Sequence, residues 1–343
     1  MKKIILILCI FLTSGCADYI EINDLCMISS IIMDYKDNQY VLNTQVIINE
    51  KESKTLNYET RGESIAEALL EISKMSDKEL YIPHLKVLMI SKNVILHDKN
   101  FYDYFLRNPK LKLNFHIFLV DSINEVIKCN ENGLYITNMM KYNNEIFSTT
   151  TSLSFTEMII KNIEYGKHNV YPKISVKDDK LYLKELVFFN DKNEEVILND
   201  EVSLYYNILS NKNKNSIINI KCDEEFFSIT LNKSNTDISY KNNTIYIDVT
   251  IDSKLNYYGC NYDINEESNI KKINKFADNY VHENINKLIL LSKENKADIL
   301  GFGSLIYKYT KEKENNYLDS LKYVINVNTN INSIGEKRSW MKR

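Results

Sequence analysis

The chain of 343 residues is short of the residues that break regular structure, with three prolines and eight glycines. It has no low-complexity linker and no internal repeat. Its single GxG, Gly301-Phe302-Gly303, lacks the third glycine and follows no strand-like run, which argues against a dinucleotide site. GxSxG, HExxH, GxxxxGK[ST] and EF-hand patterns are all missing, and with them the usual sets for nucleophilic, zinc, phosphate-loop and calcium chemistry. Six cysteines never stand at CxxC or other metal-ligand spacing. Basic residues are not in excess: 43 Lys and Arg face 46 Asp and Glu, a formal charge of −3. That balance argues against a nucleic-acid binder and against a basic membrane-surface patch. Past the first residues, no apolar run approaches the ~20 needed to cross a bilayer.

What is present begins at the N-terminus. Lys2 and Lys3 precede an apolar stretch from Ile4 to Leu12, and Thr13, Ser14 and Gly15 are small. This is the layout of a secretory signal peptide over residues 1–15, too short for a stable membrane span. Cys16 directly after Ser-Gly resembles the lipobox of bacterial lipoproteins, in which Cys16 receives a diacylglyceryl thioether and becomes the mature N-terminus. Thr13 stands where leucine is usual, with Leu12 one place earlier, and Cys9 is no rival because bulky Leu8 precedes it. A plain signal peptide with an incidental cysteine is the other reading. Each buried methylene contributes roughly 0.8 kcal/mol, so two or three acyl chains would hold the protein firmly on a membrane, outside the cytoplasm. Cys26, Cys129, Cys222 and Cys260 are scattered and are expected to be mostly free, small core residues, with a disulfide among them as the alternative.

Hydrophobic residues at 44% and charged residues at 26% are ordinary for globular protein, and the length suits two or three domains. Runs at 26–35 and 39–49 flank a turn at Lys36-Asp37-Asn38 and predict a hairpin. Ile65, Leu69 and Ile72 predict a helix within 62–75. Strands are expected at 85–91 and 111–120, with helices at 99–106 and 122–128, in a β-β-α-β-α-β-α order that implies a sheet flanked by helices. Residues 130–170 read as mostly helical, clearest over 154–165. From 173 the pattern turns to strands (173–176, 181–190, 194–198), then a helix near 199–210 and further strands through 244–252. The longest helix is expected over 266–293, with Ile270, Ile273, Ala277, Val281, Ile285, Leu288 and Leu291 in one stripe. A half-buried strand closes the pattern at 323–331. A boundary drawn near 178, at KDDK, separates an N-terminal domain (16–178) from a C-terminal region (179–335) of two subdomains, followed by a basic tail at 336–343.

No residue set makes a case for catalysis. His84, between Pro83 and a buried strand with Lys86 two residues on, reads as structural. His116 alternates within a strand, and His97, His168 and His282 have no evident partners. Glu224-Glu225 and Glu266-Glu267 are adjacent along the chain and read as solvated. Arg107-Asn108 suits a helix end, where a cation is favoured. Asp298 is placed to cap a short helix whose glycines allow close packing on the long helix before it.

Taken in order, several blocks form a pattern. GCADYIEINDLCMISSIIMD opens the mature chain. GESIAEALLEIS, LYIPHLKVLMISKN and FYDYFLRNPKLKLNFHIFLVD follow, and ADILGFGSLIYKY and YVINVNTNINSIG close it. Together they resemble the C subunits of spore germinant receptors, the Ger(x)C (GerAC-like) lipoprotein family. Pro83 replaces a family glycine, Ala17 stands where tryptophan is common, Tyr317 falls near a second family tryptophan, and the tail runs on past Gly335. The resemblance implies a multi-domain α+β protein of three subdomains, each a small mixed or antiparallel sheet flanked by helices. It implies anchorage through Cys16 on the outer face of the spore inner membrane. The partners it implies are two integral membrane subunits, A and B, in a receptor that responds to nutrients and triggers germination. No catalytic role, cofactor or metal is expected. The competing reading is an extracytoplasmic substrate-binding lipoprotein of a transporter, but the doubled βα lobes of such proteins are not seen. An exported hydrolase would lack both nucleophile and base. The blocks at Asp18–Leu25, His84–Lys86, Arg107 and Asp298–Gly303 are expected to be mainly structural.

Overall fold

The computed structural model describes residues 21, 24–49, 54–98, 100–146, 148, 150–264, 266–314 and 316–333. Cys16, the leader, Ala17 and the basic tail lie outside the described residues. The fold is α+β and multi-domain, built on two mixed sheets flanked by helices.

The chain opens with a hairpin of β1 (Leu25–Lys36) and β2 (Gln39–Asn49), paired antiparallel. Asp37 and Asn38 supply the positive φ that a two-residue hairpin turn requires. An unforeseen strand, β3 (Lys54–Gly62), adds antiparallel to β2 and ends the sheet. Its polar sequence suits an edge, where exposed Glu59 and Arg61 discourage further pairing. Helix α1 (Ile65–Met75) begins at Ser64, whose hydroxyl accepts from the Glu67 N–H.

A short β4 (Glu79–Tyr81) pairs with β1, and then β5 (Val87–Ser91) lies parallel beside β1. After α2 (Lys92–His97) and α3 (Asp103–Arg107) comes β6 (His116–Val120), parallel to β5. The strand expected over 111–120 is thus shorter. Phe115 turns instead into an aromatic cluster with Phe155 and Phe105, at centroid distances of 4.6 and 5.7 Å.

Helices α4 (Ile123–Cys129), α5 (Gly133–Ile146) and α6 (Phe155–Ile163) lead to β7 (Tyr171–Lys177), parallel to β6. Then β8 (Lys180–Phe189) and β9 (Glu195–Leu198) return antiparallel. Asp178 and Asp179, at positive φ, form the β7–β8 turn. The interruption at KDDK is therefore a hairpin inside the larger sheet, which continues to Leu198.

Strand alternation sorts this sheet's two faces. Ile31, Leu88, Ile90, Ile117 and Leu119 join α1 and α6 in one core. Ile32, Val87, Met89, Phe118 and Val120 join α4 and α5 in another. Parallel strands covered on both sides read as unbroken apolar runs. In β8, Val187 faces the first core, whereas Leu186 and Phe188 face a third.

That third core belongs to the second sheet. Helix α7 (Asp200–Leu209) leads into β10 (Ser216–Cys222), β11 (Glu225–Lys241) and β12 (Thr244–Tyr258), a meander. Ile245, Ile247, Val249 and Ile251, alternate residues of β12, are buried there. Helix α8 (Glu267–Glu294) contributes Ile273, Ala277, Val281, Ile285 and Leu288 to this core, the stripe read from the sequence. Two short helices follow, α9 (Phe302–Thr310) and α10 (Tyr317–Ser320), and β13 (Tyr323–Ser333) closes the sheet parallel to β12.

The cysteine expectation needs correcting in part. Cys26 and Cys129 are free, but Cys222 and Cys260 form a disulfide with a Cα–Cα separation of 6.0 Å. The meander brings the end of β10 beside the segment after β12, a proximity that their 38-residue separation conceals. Closing a loop of that length restricts the unfolded chain, so Cys222→Ala/Cys260→Ala should lose about 2–4 kcal/mol. Denaturant unfolding with and without reductant checks this. The reduced wild-type chain should match the double variant.

Candidate functional site

The most constrained polar group is Asp298, whose side chain is fully buried. One carboxylate oxygen accepts the N–H groups of Gly301 (2.7 Å) and Phe302 (3.1 Å). The other accepts the Gly303 N–H (2.7 Å) and the Tyr317 hydroxyl (2.6 Å). Asp298 thus satisfies backbone donors left open at the start of α9, as read from the sequence. Gly301, at φ +78°, makes the sharp turn that presents them. Burial pushes the Asp298 carboxyl above its ordinary range, opposed by all four donors.

The glycines do not serve the long helix, as the sequence reading supposed. They let α9 approach the segment after α6. A Cβ on Gly166 would sit 2.5 Å from the Gly303 Cα, and a Cβ on Gly303 would overlap the Tyr317 ring. Tyr317, met in the sequence as the replacement of a family tryptophan, fills this space and contributes a donor. Its own pKa is raised by burial and by Asp298.

His168 completes the contact across 130 residues. Its backbone N–H donates to the Asp298 carbonyl (2.8 Å), and the Asp298 backbone N–H donates to His168 Nδ1 (3.0 Å). Nδ1 must be unprotonated to accept, so the neutral imidazole is the form that fits. Burial holds the His168 pKa below its ordinary value, against the pull of Asp298. No local motif announces this pair, because only the tertiary fold brings His168 to Asp298.

A second polar contact ties the 148–161 region to the start of the second sheet. Lys212 Nζ reaches both Glu157 oxygens (2.7 and 3.0 Å) and the Ser152 carbonyl (2.8 Å). Lys161 pairs with the same carboxylate (3.1 Å) and donates to the Tyr206 hydroxyl (3.2 Å). Burial opposes ionisation of Glu157, but Lys212 and Lys161 outweigh it and hold the carboxyl below its usual range. Buried Asn207 donates to the carbonyls of Ser148 and Thr150.

Two regions of the sequence match models of known families. Residues 18–176 match the spore germination protein N-terminal domain, and residues 185–335 match the spore germination B3/GerAC-like C-terminal domain. The chain belongs to the GerAC-like spore germination protein family. A solved structure, the crystal structure of the GerBC protein, is similar in fold with a TM-score of 0.55. The match covers 88% of this chain and 96% of that one at 11% identity. Comparison with curated proteins found no match.

In this GerAC-like chain the other singled-out residues stay apart. His84 ends a single helical turn, Ile82–His84, while the Lys86 backbone bonds to Ser29 and His116. Arg107, exposed in the last turn of α3, pairs with Asp103 at 2.6 Å. His97 stacks on Tyr35, His116 starts β6, and His282, Glu224, Glu225, Glu266 and Glu267 are exposed. Among the described residues, no cluster of three or more His, Cys, Asp or Glu is arranged to hold a metal, and no helix is long and apolar enough to cross a membrane.

Asp298→Asn would turn an acceptor into a donor facing Gly303 or Tyr317. It should cost about 2–4 kcal/mol in denaturant unfolding, whereas Tyr317→Phe, losing one hydrogen bond, should cost about 1 kcal/mol. His168 adds a pH dependence. Its folded pKa is lowered, so its contribution is complete above the unfolded value of about 6.5 and declines as pH falls towards the folded value. Unfolding free energies measured from pH 7.5 to 5 should fall for the native chain and fall less steeply for His168→Gln. A residual slope is expected from His116, whose pKa is lowered by burial and Lys212.

Proposed function

We propose that this chain is the lipid-anchored, non-catalytic C subunit of a nutrient germinant receptor, taking part in the trigger of spore germination. The observation that carries the reading is the ordered match of both family domains across residues 18–335. In this reading Cys16 is the acylated N-terminus and residues 1–15 are removed. The protein then lies on the outer face of the spore inner membrane, beside integral membrane subunits A and B. Two features support the placement. The Ser-Gly-Cys sequence follows a leader-like apolar run, and the Cys222–Cys260 disulfide suits an oxidising, extracytoplasmic setting. The three-subdomain division belongs to the same proposal; its border near 178 is the gap between the two matched family regions, while the first sheet itself runs on across that point to Leu198.

A subunit of this kind works through surfaces. The Asp298–His168 and Glu157–Lys212 contacts would keep its two sheets in register while partners grip the outside.

Affinity purification of the tagged protein from detergent-solubilised spore inner membranes should recover two multi-span membrane subunits. Recovery of a transporter permease instead would favour the binding-lipoprotein alternative and overturn this one. Cys16→Ser should abolish palmitate labelling and release most of the protein from the membrane fraction. Labelled, membrane-bound Cys16→Ser protein would rule out Cys16 as the anchor.

A further inference from the structure

A cleft of about 680 Å³ runs along α9 and is walled by residues 163–167. Lys167, Lys308, Lys311 and Lys313 line it, against a single carboxylate, Glu164. Glu164 is already paired with Lys167. Lys308 and Lys311 are exposed and meet no carboxylate among the described residues. Lys313 Nζ lies 5.6 Å from the centre of the Tyr165 ring and 5.8 Å from that of Tyr307. Aromatic faces of this kind hold an ammonium in place. Beside these charges stands apolar surface with no cover: Ile163 is 74% exposed at the cleft wall, with Leu300 and Leu305 lining it too.

Charge alone makes the arrangement unusual. The chain as a whole is acidic, yet three lysines that pair with no acid among the described residues share one concavity. Lys308, in the last turn of α9, has a local reason to be there, since the helix dipole favours a cation. That reason does not extend to Lys313, which lies beyond the helix over two tyrosine rings. Like charges in one cleft repel, and an anion of more than one charge relieves the repulsion. Lysine meets phosphate well as a compact point charge with rotatable donors. Tyrosine rings and an exposed isoleucine suit the less polar part of the same molecule, the usual division of labour in a ligand cleft.

We propose that this cleft binds a phosphate-bearing anion that also carries an apolar or aromatic portion. The shared chemistry is a phosphate ester. Its source is either a free organic phosphate or the headgroup of an anionic phospholipid. The proposal rests on the cleft and holds independently of the receptor reading.

Calorimetric titration of the full chain in neutral detergent tests it, with phenyl phosphate, dihexanoyl phosphatidic acid and inorganic phosphate as probes. At least one of the two esters should bind saturably, one per chain, and at least tenfold more tightly than inorganic phosphate. Tighter binding of the phosphatidic acid assigns the source to a lipid headgroup, and tighter binding of phenyl phosphate assigns it to a free ester. Lys308→Glu/Lys311→Glu should weaken the ester at least tenfold with thermal melting unchanged. If melting does change, Lys308→Gln/Lys311→Gln repeats the test without introducing acids. No saturable binding at millimolar ester overturns the proposal. So does equal affinity for ester and inorganic phosphate, or undiminished binding by a double variant that melts normally.

Discussion

A buried carboxylate must find donors or give up its charge, and Asp298 meets that demand with four. Leaving an ionised carboxylate unpaired in an interior costs several kcal/mol, so the surrounding backbone is shaped to avoid it. Gly301 takes a left-handed conformation to turn its N–H inward, and Gly303 remains bare so that its N–H and Tyr317 can both reach the second oxygen. Gly166 can then press against Gly303, and His168 can exchange two hydrogen bonds with the Asp298 backbone. The start of α9, the place of α10 and the approach of the first sheet's connecting segment to the second sheet all follow from one satisfied charge.

The cores enforce the same union by a different route. Strand β8 sends Val187 to the core beneath α1 and α6, and Leu186 and Phe188 to the core of the second sheet. Because side chains alternate along a strand, this end of β8 serves two cores at once, while Leu181 and Leu183 nearer its start join the core beneath α4 and α5. Glu157, held between Lys212 and Lys161, adds a polar contact beside this apolar seam. Relative motion of the two sheets would have to expose alternate residues of β8 and pull the half-buried Glu157 from Lys212. The basic cleft on α9 lies next to this junction, so an anion bound there would touch the segment that carries Gly166 and His168.

Much of the architecture was legible as periodicity. The hairpin at 25–49, the parallel strands at 87–91 and 116–120 and the stripe of α8 are patterns of two or 3.6 carried by apolar residues, and they survive because burial rewards them. Strand β3 was missed for the complementary reason. An edge strand with a solvated border needs charge at Glu59 and Arg61, which erases the apolar signal. The run at 111–115 misled in the other direction, since Leu111 and Phe115 are buried without belonging to a strand. Apolar content reports burial, and only pairing partners decide the conformation in which it is achieved.

The sequence alone settled most element types, the α+β class, the family and the cap at Asp298. Each depends on residues near one another along the chain or on blocks in a recognisable order. Tertiary structure alone decided that Cys222 meets Cys260, that His168 meets Asp298, that Gly303 packs on Gly166 and Tyr317, and that four lysines share a cleft. The Cys222–Cys260 pair spans 38 residues and the His168–Asp298 pair 130, and no periodicity links their members. They exist because close-packed sheets leave few places where a buried donor, acceptor or thiol can find its complement.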